Sequence, residues 1–296
     1  MAVEYREEPC KSAVNRVTGM MFGWSLNPYM GCAHRCTFCY VRGFERRADR
    51  PSDDRYGRSV RIKTNIAQVL AEELRRPAWK SEHIAIGTAT DPYQPAEGRY
   101  RLTRACLEVL VRRHNPASII TRSPMVIRDL DLLKQAARRG GMNVSISIPT
   151  LDRRVWKLTE PGTAPPHQRL KAIRALNEAG VRAGVAMAPI LPGLSDSPAQ
   201  LAEVVRAARD AGAPLLWCKV LHLTPGTREH FMENLARDWP ELVPRYEDLY
   251  TGTGYLPQSD TEGTTALVEA LRIRYGVEDR RMVRLEEGKI EQGVLL

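Results

Sequence analysis

No run of eighteen apolar residues occurs in this 296-residue chain, so a membrane-spanning helix is not expected. The opening Met-Ala-Val-Glu-Tyr-Arg-Glu-Glu lacks both the basic patch and the apolar stretch of a secretory leader. Together these absences point to a soluble cytoplasmic protein with no membrane partner. Internal repeats, low-complexity tracts and clear linkers are missing as well. One body over residues 1–238 with an N-terminal extension is therefore expected, followed by a tail over 239–296 that packs on it or caps it. Cysteine is scarce, with six in the chain, and half of them are scattered, which disfavours a disulfide framework. Lysine is scarce too: eight of the 44 basic residues are lysine, the rest arginine. That bias fits phosphate recognition and a GC-rich genome equally well.

What is present is concentrated in one loop, Asn27-Pro-Tyr-Met-Gly-Cys-Ala-His-Arg-Cys-Thr-Phe-Cys-Tyr40. The spacing C-x3-C-x2-C puts the thiols of Cys32, Cys36 and Cys39 on one tight turn. Three protein thiolates suit a cubane iron-sulfur cluster whose fourth iron is left open for chemistry. A Cys3His zinc site using His34 is the competing arrangement. His34 lies two residues from both Cys32 and Cys36, which makes ligation together with both awkward. A pure electron carrier would complete the cluster with a fourth protein ligand, and this loop supplies three.

After the loop, short apolar runs alternate with amphipathic stretches. Strands are expected at Met21–Leu26, His83–Ala89, Ala117–Thr121, Met142–Ile148, Val181–Ala188 and Pro214–Leu221. Between them Ile66, Val69, Leu70 and Leu74 return to one helical face. Ser197-Pro-Ala-Gln200 reads as a capped helix start, while Gly140, Gly180 and Gly212 stand where helices should stop. Six strand-helix units imply an α/β fold with a parallel sheet, either a partial (β/α)6 barrel or an open doubly wound sheet. Polar residues fall at the C-terminal strand ends, where parallel barrels place their chemistry. Ser145 and Ser147, two apart, share one face of their strand, and Val144, Ile146 and Ile148 share the other. Beyond about Trp239 the rhythm breaks, with Tyr246, Tyr250, Tyr255 and a helix near Thr261 to Tyr275.

These residues resemble the radical S-adenosylmethionine superfamily, whose signature is C-x3-C-x-aromatic-C. The likeness is greatest to its spore photoproduct lyase-like branch. It is carried by Asn-Pro-Tyr-Met-Gly-Cys, Thr90-Asp-Pro-Tyr-Gln-Pro-Ala-Glu97, Thr121-Arg-Ser-Pro124, Val144-Ser-Ile-Ser-Ile-Pro149, Glu160-Pro-Gly-Thr163 and Ala188-Pro-Ile-Leu-Pro-Gly193. The resemblance implies a partial TIM-type barrel and a 4Fe-4S cluster on Cys32, Cys36 and Cys39. It also implies S-adenosylmethionine chelating the open iron, a low-potential electron donor of flavodoxin or ferredoxin type, and a 5'-deoxyadenosyl radical that abstracts hydrogen. By position, Phe38 and the backbone of Tyr40 would meet adenine. Thr90 and Asp91 would lie near the amine and ribose, Arg122 and Ser123 near the carboxylate, Ser145 or Ser147 near ribose or carboxylate, and Pro189 against the adenine. Glu160 and Arg169 are expected either as a structural pair or beside the cofactor.

A spore photoproduct lyase carries a hydrogen-donor cysteine beside its second strand, and the matching stretch here, Gly87-Thr-Ala-Thr-Asp91, has none. Among the other cysteines Cys106 reads as core, Cys218 as the better donor candidate, and Cys10 as free. The net charge of +9, with seven arginines from Arg42 to Arg61 offset by Glu45, Asp49, Asp53 and Asp54, favours nucleic acid as substrate. The alternatives are radical modification of a peptide or small metabolite, and an iron-sulfur electron-transfer or redox protein without turnover.

Overall fold

The alternating pattern resolves into eleven strands in a computed structural model that describes residues 3–138, 141–252 and 254–279. In chain order they are β1 (Glu4–Glu8), β2 (Val14–Arg16), β3 (Trp24–Leu26), β4 (Tyr29–Met30), β5 (Ser59–Lys63), β6 (Ile84–Ile86), β7 (Ala117–Thr121), β8 (Met142–Ser147), β9 (Arg182–Ile190), β10 (Leu215–Val220) and β11 (Glu278–Asp279). The main sheet runs β11-β10-β9-β8-β7-β6-β3-β2. From β3 to β10 every neighbouring pair is parallel. β2 lies antiparallel on one edge and β11 parallel on the other, so the sheet stays open as a partial barrel.

Each expected strand has a counterpart. The first is shorter at its start: it begins at Trp24, and Met20 and Met21 stand 65% and 74% exposed, outside any packed face. The helix Ile66–Glu73 buries Ile66 and Leu70 as its periodicity requires. Ser197 closes a reciprocal capping box with Gln200 on the helix Pro198–Asp210. Gly180 and Gly212 follow helix ends, whereas Gly140 lies outside the described residues.

A second sheet, β1-β5-β4, has no signal in the sequence pattern. It matters because β4 ends two residues before Cys32 and pairs with β5, Tyr29 opposite Ile62 and Met30 opposite Arg61. The cysteine loop thus leaves from a fixed strand. Val60 and Ile62 of β5 are fully buried and join the main core.

Register separates the two faces of the main sheet. Val144, Ile146 and Ile148 join the aliphatic core under the helices. Ser145 stands beside Ile120 and Gly184, and Ser147 beside Ala186, which in turn faces Trp217. The lumen is therefore lined by Ser145, Ser147, Gly184 and Ala186, with Ile120 and Trp217 beside them. Among the described residues beyond Trp239, Val268 and Leu271 of the helix Gln258–Tyr275, together with Val277, belong to the main core. None of the described helices is long and apolar enough to cross a membrane.

Candidate radical-chemistry site

Cys32, Cys36 and Cys39 occupy the turn between β4 and the helix Val41–Arg47, and all three are free thiols. Tertiary contacts, not local propensity, hold the turn. Gln94, fully buried, accepts from the Ala33 amide at 2.9 Å and donates to the Gly31 carbonyl at 3.1 Å. Thr90 donates to the same Gly31 carbonyl at 2.8 Å. On the other side the loop after β8 closes down. The Gly162 amide donates to the His34 carbonyl at 3.1 Å and the Thr37 amide to the Thr159 carbonyl at 2.9 Å. The approach is so close that a Cβ on Gly162 would lie 2.6 Å from the Ala33 carbonyl oxygen and 2.7 Å from His34 Cα. Only glycine fits there.

Arg42 braces the turn from inside. Its fully buried guanidinium donates to the carbonyls of Ser52 at 2.8 Å and Asp53 at 2.6 Å, and its Nε to that of Cys36 at 3.4 Å. It also stacks over the Tyr56 ring, 4.6 Å from the centroid, and the Tyr56 hydroxyl lies 3.6 Å from Cys39 Sγ. In sequence Arg42 falls in the arginine-rich segment. Its place one turn after Cys39, at the start of the helix, is the signal that was available.

A second charged assembly sits beside Cys36. Glu160, 1% exposed, accepts from Arg122 and lies 3.1 Å from Arg169. Arg169 is fully buried and also donates to the carbonyls of Ser147 at 2.9 Å and Ala164 at 2.8 Å. Arg122 reaches the Ala188 carbonyl at 3.1 Å and lies over the Phe38 ring, 5.1 Å from its centroid. Two guanidiniums on one carboxylate leave an excess of positive charge. Burial pushes the Cys36 thiol up and Arg122 pulls it down, while Cys32, Cys39 and Glu160 add to the rise. Burial likewise raises Cys39, with Cys32 next. The three thiols therefore repel one another as anions, and a cationic centre between them would relieve that.

Asp91 is a buried hub. It accepts from Thr121 Oγ1 at 2.7 Å and from the amides of Tyr93 at 2.8 Å and Arg122 at 2.7 Å, and lies 3.2 Å from His34 Nδ1. Burial works to raise its carboxyl, but His34 and these donors hold it below the ordinary value. For His34 burial opposes the charge, and Asp91 and Cys32 outweigh it, so the imidazole is pushed up to about 10. His34 thus serves Asp91. Among the described residues no three His, Cys, Asp or Glu side chains converge on one point that could hold a single ion. A cubane places each thiolate on its own iron and needs no such convergence.

The remaining predicted residues fall around this centre. Phe38 is buried in a second core with Cys36, Leu191, Leu221 and Tyr250. Tyr40 opens the helix Val41–Arg47, and its hydroxyl donates to the Thr88 carbonyl. Ser123 caps the Met125 amide at 3.2 Å. Ser145 and Ser147 are buried on the lumen face. Pro189 follows a cis peptide at Ala188, where β9 bulges against β10 between Cys218 and Val220. Trp217 Nε1, on the lumen side of β10, is a buried donor without a partner among the described residues. Cys218 pairs in register with Met187 and packs against the outer aliphatic core, away from the lumen, as does Cys106. Cys10 is half-buried and bonded through its backbone to Asn65.

The arginine-rich segment is largely self-neutralised. Arg35 and Arg58 meet Asp54, Arg50 meets Glu45, Arg55 meets Asp53, Arg61 meets Glu8, and Arg46 meets Glu229. A bare cationic stripe from Arg42 to Arg61 is therefore not what the fold presents.

Comparison with known proteins follows this geometry. Residues 26–205 match the family model described as the radical SAM superfamily. An uncharacterized protein of Mycobacterium tuberculosis (strain ATCC 25618 / H37Rv) is 39% identical over 276 residues, covering 92% of this chain and 81% of that one. A protein of Pseudomonas phage M6 named radical SAM Nalpha-GlyT isomerase is 27% identical over 171 residues, covering 56% of this chain and 33% of its own. A spore photoproduct lyase mutant solved with bound AdoMet and dinucleoside spore photoproduct superposes with a TM-score of 0.69 at 15% identity. That superposition covers 93% of this chain and 81% of the other.

Proposed function

This chain belongs to the radical SAM superfamily, whose members use a 4Fe-4S cluster and S-adenosylmethionine, and from that premise we propose that it is an enzyme abstracting hydrogen from a base in nucleic acid. The observation that supports catalysis best is the clamped turn carrying three free thiols, two buried and Cys39 half-buried, beside a charged assembly with surplus positive charge. Cys32, Cys36 and Cys39 would hold the cluster. When bound, the cluster and S-adenosylmethionine supply one-electron cleavage of the sulfonium and a carbon radical that abstracts hydrogen.

The chain's own residues bind, orient and exclude water. Phe38 and Pro189 offer apolar surface to the adenine. The peptide of Tyr40, fixed by the start of its helix, is the polar edge beside it. Arg122, backed by Glu160, presents a guanidinium suited to a carboxylate. Ser145 and Ser147 with the unpartnered Trp217 Nε1 give the lumen hydroxyl and N–H groups for the methionyl and ribose moieties. Thr90 and Asp91 act one layer back: Thr90 pins the Gly31 carbonyl, and Asp91 orients the Arg122 amide and His34. The reducing electron comes from an external donor of flavodoxin or ferredoxin type.

For the substrate, the support is the net charge of +9, and the phage relative bears the name radical SAM Nalpha-GlyT isomerase. The absence of a cysteine at Gly87 to Asp91, and the outward placement of Cys218, separate the chemistry from a lyase that uses that thiol as hydrogen donor. The test is anaerobic turnover with oligonucleotides deuterated on the base. Deuterium in 5'-deoxyadenosine supports the reading. Cleavage of S-adenosylmethionine without label transfer from DNA or RNA would shift the substrate to a peptide or metabolite.

A further inference from the structure

One row of side chains joins the helix Val41–Arg47 and its first-turn neighbour Tyr40 to β10 and the segments that follow it. From Arg47 it passes over the Phe44 ring at 4.8 Å, then to Tyr40 at 5.7 Å, His222 at 6.0 Å, and Tyr255 at 4.9 Å, and ends with Lys219 at 5.9 Å from the Tyr255 centroid. We propose that this ladder is a stacking platform for a base of single-stranded or unpaired nucleic acid, with Arg47 and Lys219 receiving the flanking phosphates. The inference rests on the nucleic-acid reading above and gives it a location.

The ladder is built by close backbone approach. Thr227 Oγ1 donates to the Cys39 carbonyl at 3.1 Å, which ties the segment after β10 to the cysteine turn. The Leu223 amide donates to the Gly254 carbonyl at 2.7 Å. Gly254 has φ +85°, and a Cβ there would lie 2.3 Å from the Leu223 carbonyl oxygen. That contact sets the next residue, Tyr255, against His222 with the two rings 2° from parallel.

The chemistry suits a base with its phosphates better than an apolar partner. Tyr255 is 54% exposed and Phe44 44%, two of the few large hydrophobic side chains exposed among the described residues. Arg47 and Lys219 lean on rings and have no acidic partner among the described residues. Burial, and then Lys219, lower the His222 imidazole, so it presents a neutral ring at neutral pH. Aromatic faces with cations beside them are the common elements of single-strand binding, since every base has a π face and every linkage a charge. Position agrees with reactivity: Tyr40 directly follows Cys39, so a stacked base would rest at the edge of the cluster turn.

The probe is a fluorescent single-stranded oligonucleotide containing one 2-aminopurine, titrated into anaerobically reconstituted protein at low salt. Wild type should bind and quench the 2-aminopurine. Tyr255→Ala should lose roughly tenfold in affinity and most of the quench, the effect of about 1.4 kcal/mol of stacking. Tyr255→Trp should keep both. Lys219→Gln should weaken binding and flatten its salt dependence while leaving the quench. Circular dichroism and iron content confirm that each variant is folded. Unchanged affinity and quench in Tyr255→Ala, with wild type binding, would overturn the platform and leave the nucleic-acid reading standing. No wild-type binding at low salt would overturn both.

Discussion

Glu160 is the countercharge for two guanidiniums, and the two sides of that arrangement should respond unequally to mutation. Arg122→Met leaves Glu160 with Arg169 at 3.1 Å, and leaves the bonds from Arg169 to Ser147 and Ala164 in place. The expected cost is about 1.5–3 kcal/mol, that of a lost charged hydrogen bond. Glu160→Gln leaves Arg169, fully buried, and Arg122 facing each other without a carboxylate. Breaking a buried pair from that side costs about 3–5 kcal/mol. At roughly 2–4 °C per kcal/mol for a chain of this size, Glu160→Gln should lower the melting temperature by about 6–20 °C and Arg122→Met by about 3–12 °C. The double variant should be more stable than Glu160→Gln by about 1–2 kcal/mol, because one of the uncompensated cations is gone. Thermal melts followed by circular dichroism at one scan rate, on protein reconstituted under the same anaerobic conditions, measure all three. Equal losses for the two single variants, or a double variant no more stable than Glu160→Gln, would refute the shared-carboxylate account.

Other outcomes follow from particular contacts. Gly162→Ala places a Cβ 2.6 Å from the Ala33 carbonyl oxygen, so it should cost about 1–3 kcal/mol and lower iron and sulfide content per chain after reconstitution. Wild-type content would count against the clamp. Arg42→Lys cannot span the carbonyls of Ser52, Asp53 and Cys36 with one ammonium group, so cluster content should fall while the far-ultraviolet spectrum is kept. His230 is held down to about 4, first by burial and then by Arg42. Between about 4 and its ordinary 6.5 the unfolded chain binds the extra proton, so stability should rise with pH across that window and be lost as pH falls through it, by up to about 3 kcal/mol. His230→Gln should flatten the slope in a pH series of denaturation curves.

Local signals were legible in the sequence, and signals made by distant chain segments were not. β7 occupies the expected Ala117–Thr121, a run buried at four of its five positions and bounded by polar residues. β6 ends at Ile86, short of the expected Ala89, because the chain turns away at Gly87 with φ +89°. β1, Glu4–Glu8, reads Glu-Tyr-Arg-Glu-Glu and has no strand signature; its pairing with β5, some fifty residues later, makes it one. The site divides in the same way. The three cysteines and Phe38 are neighbours in sequence, so their chemistry could be read from spacing. Gln94 and Tyr56 become part of the turn only through contacts across the fold. Arg42 shows the limit most directly: seven arginines between Arg42 and Arg61 look alike in sequence, and burial singles out one as an internal brace. Glu160 and Arg169 form a buried ion pair, and Arg122 joins the same carboxylate, a three-residue assembly that no local pattern signals.

The central claim is that three thiols on one clamped turn equip this chain for reductive cleavage of S-adenosylmethionine. Chromatography of 5'-deoxyadenosine and methionine, formed by anaerobically reconstituted and chemically reduced protein, tests it most directly. Wild type should form the two products in equal amounts, slowly even without substrate, and Cys36→Ala should form neither. A wild-type protein with a reducible cluster that leaves S-adenosylmethionine intact would contradict the account, as would undiminished product from Cys36→Ala.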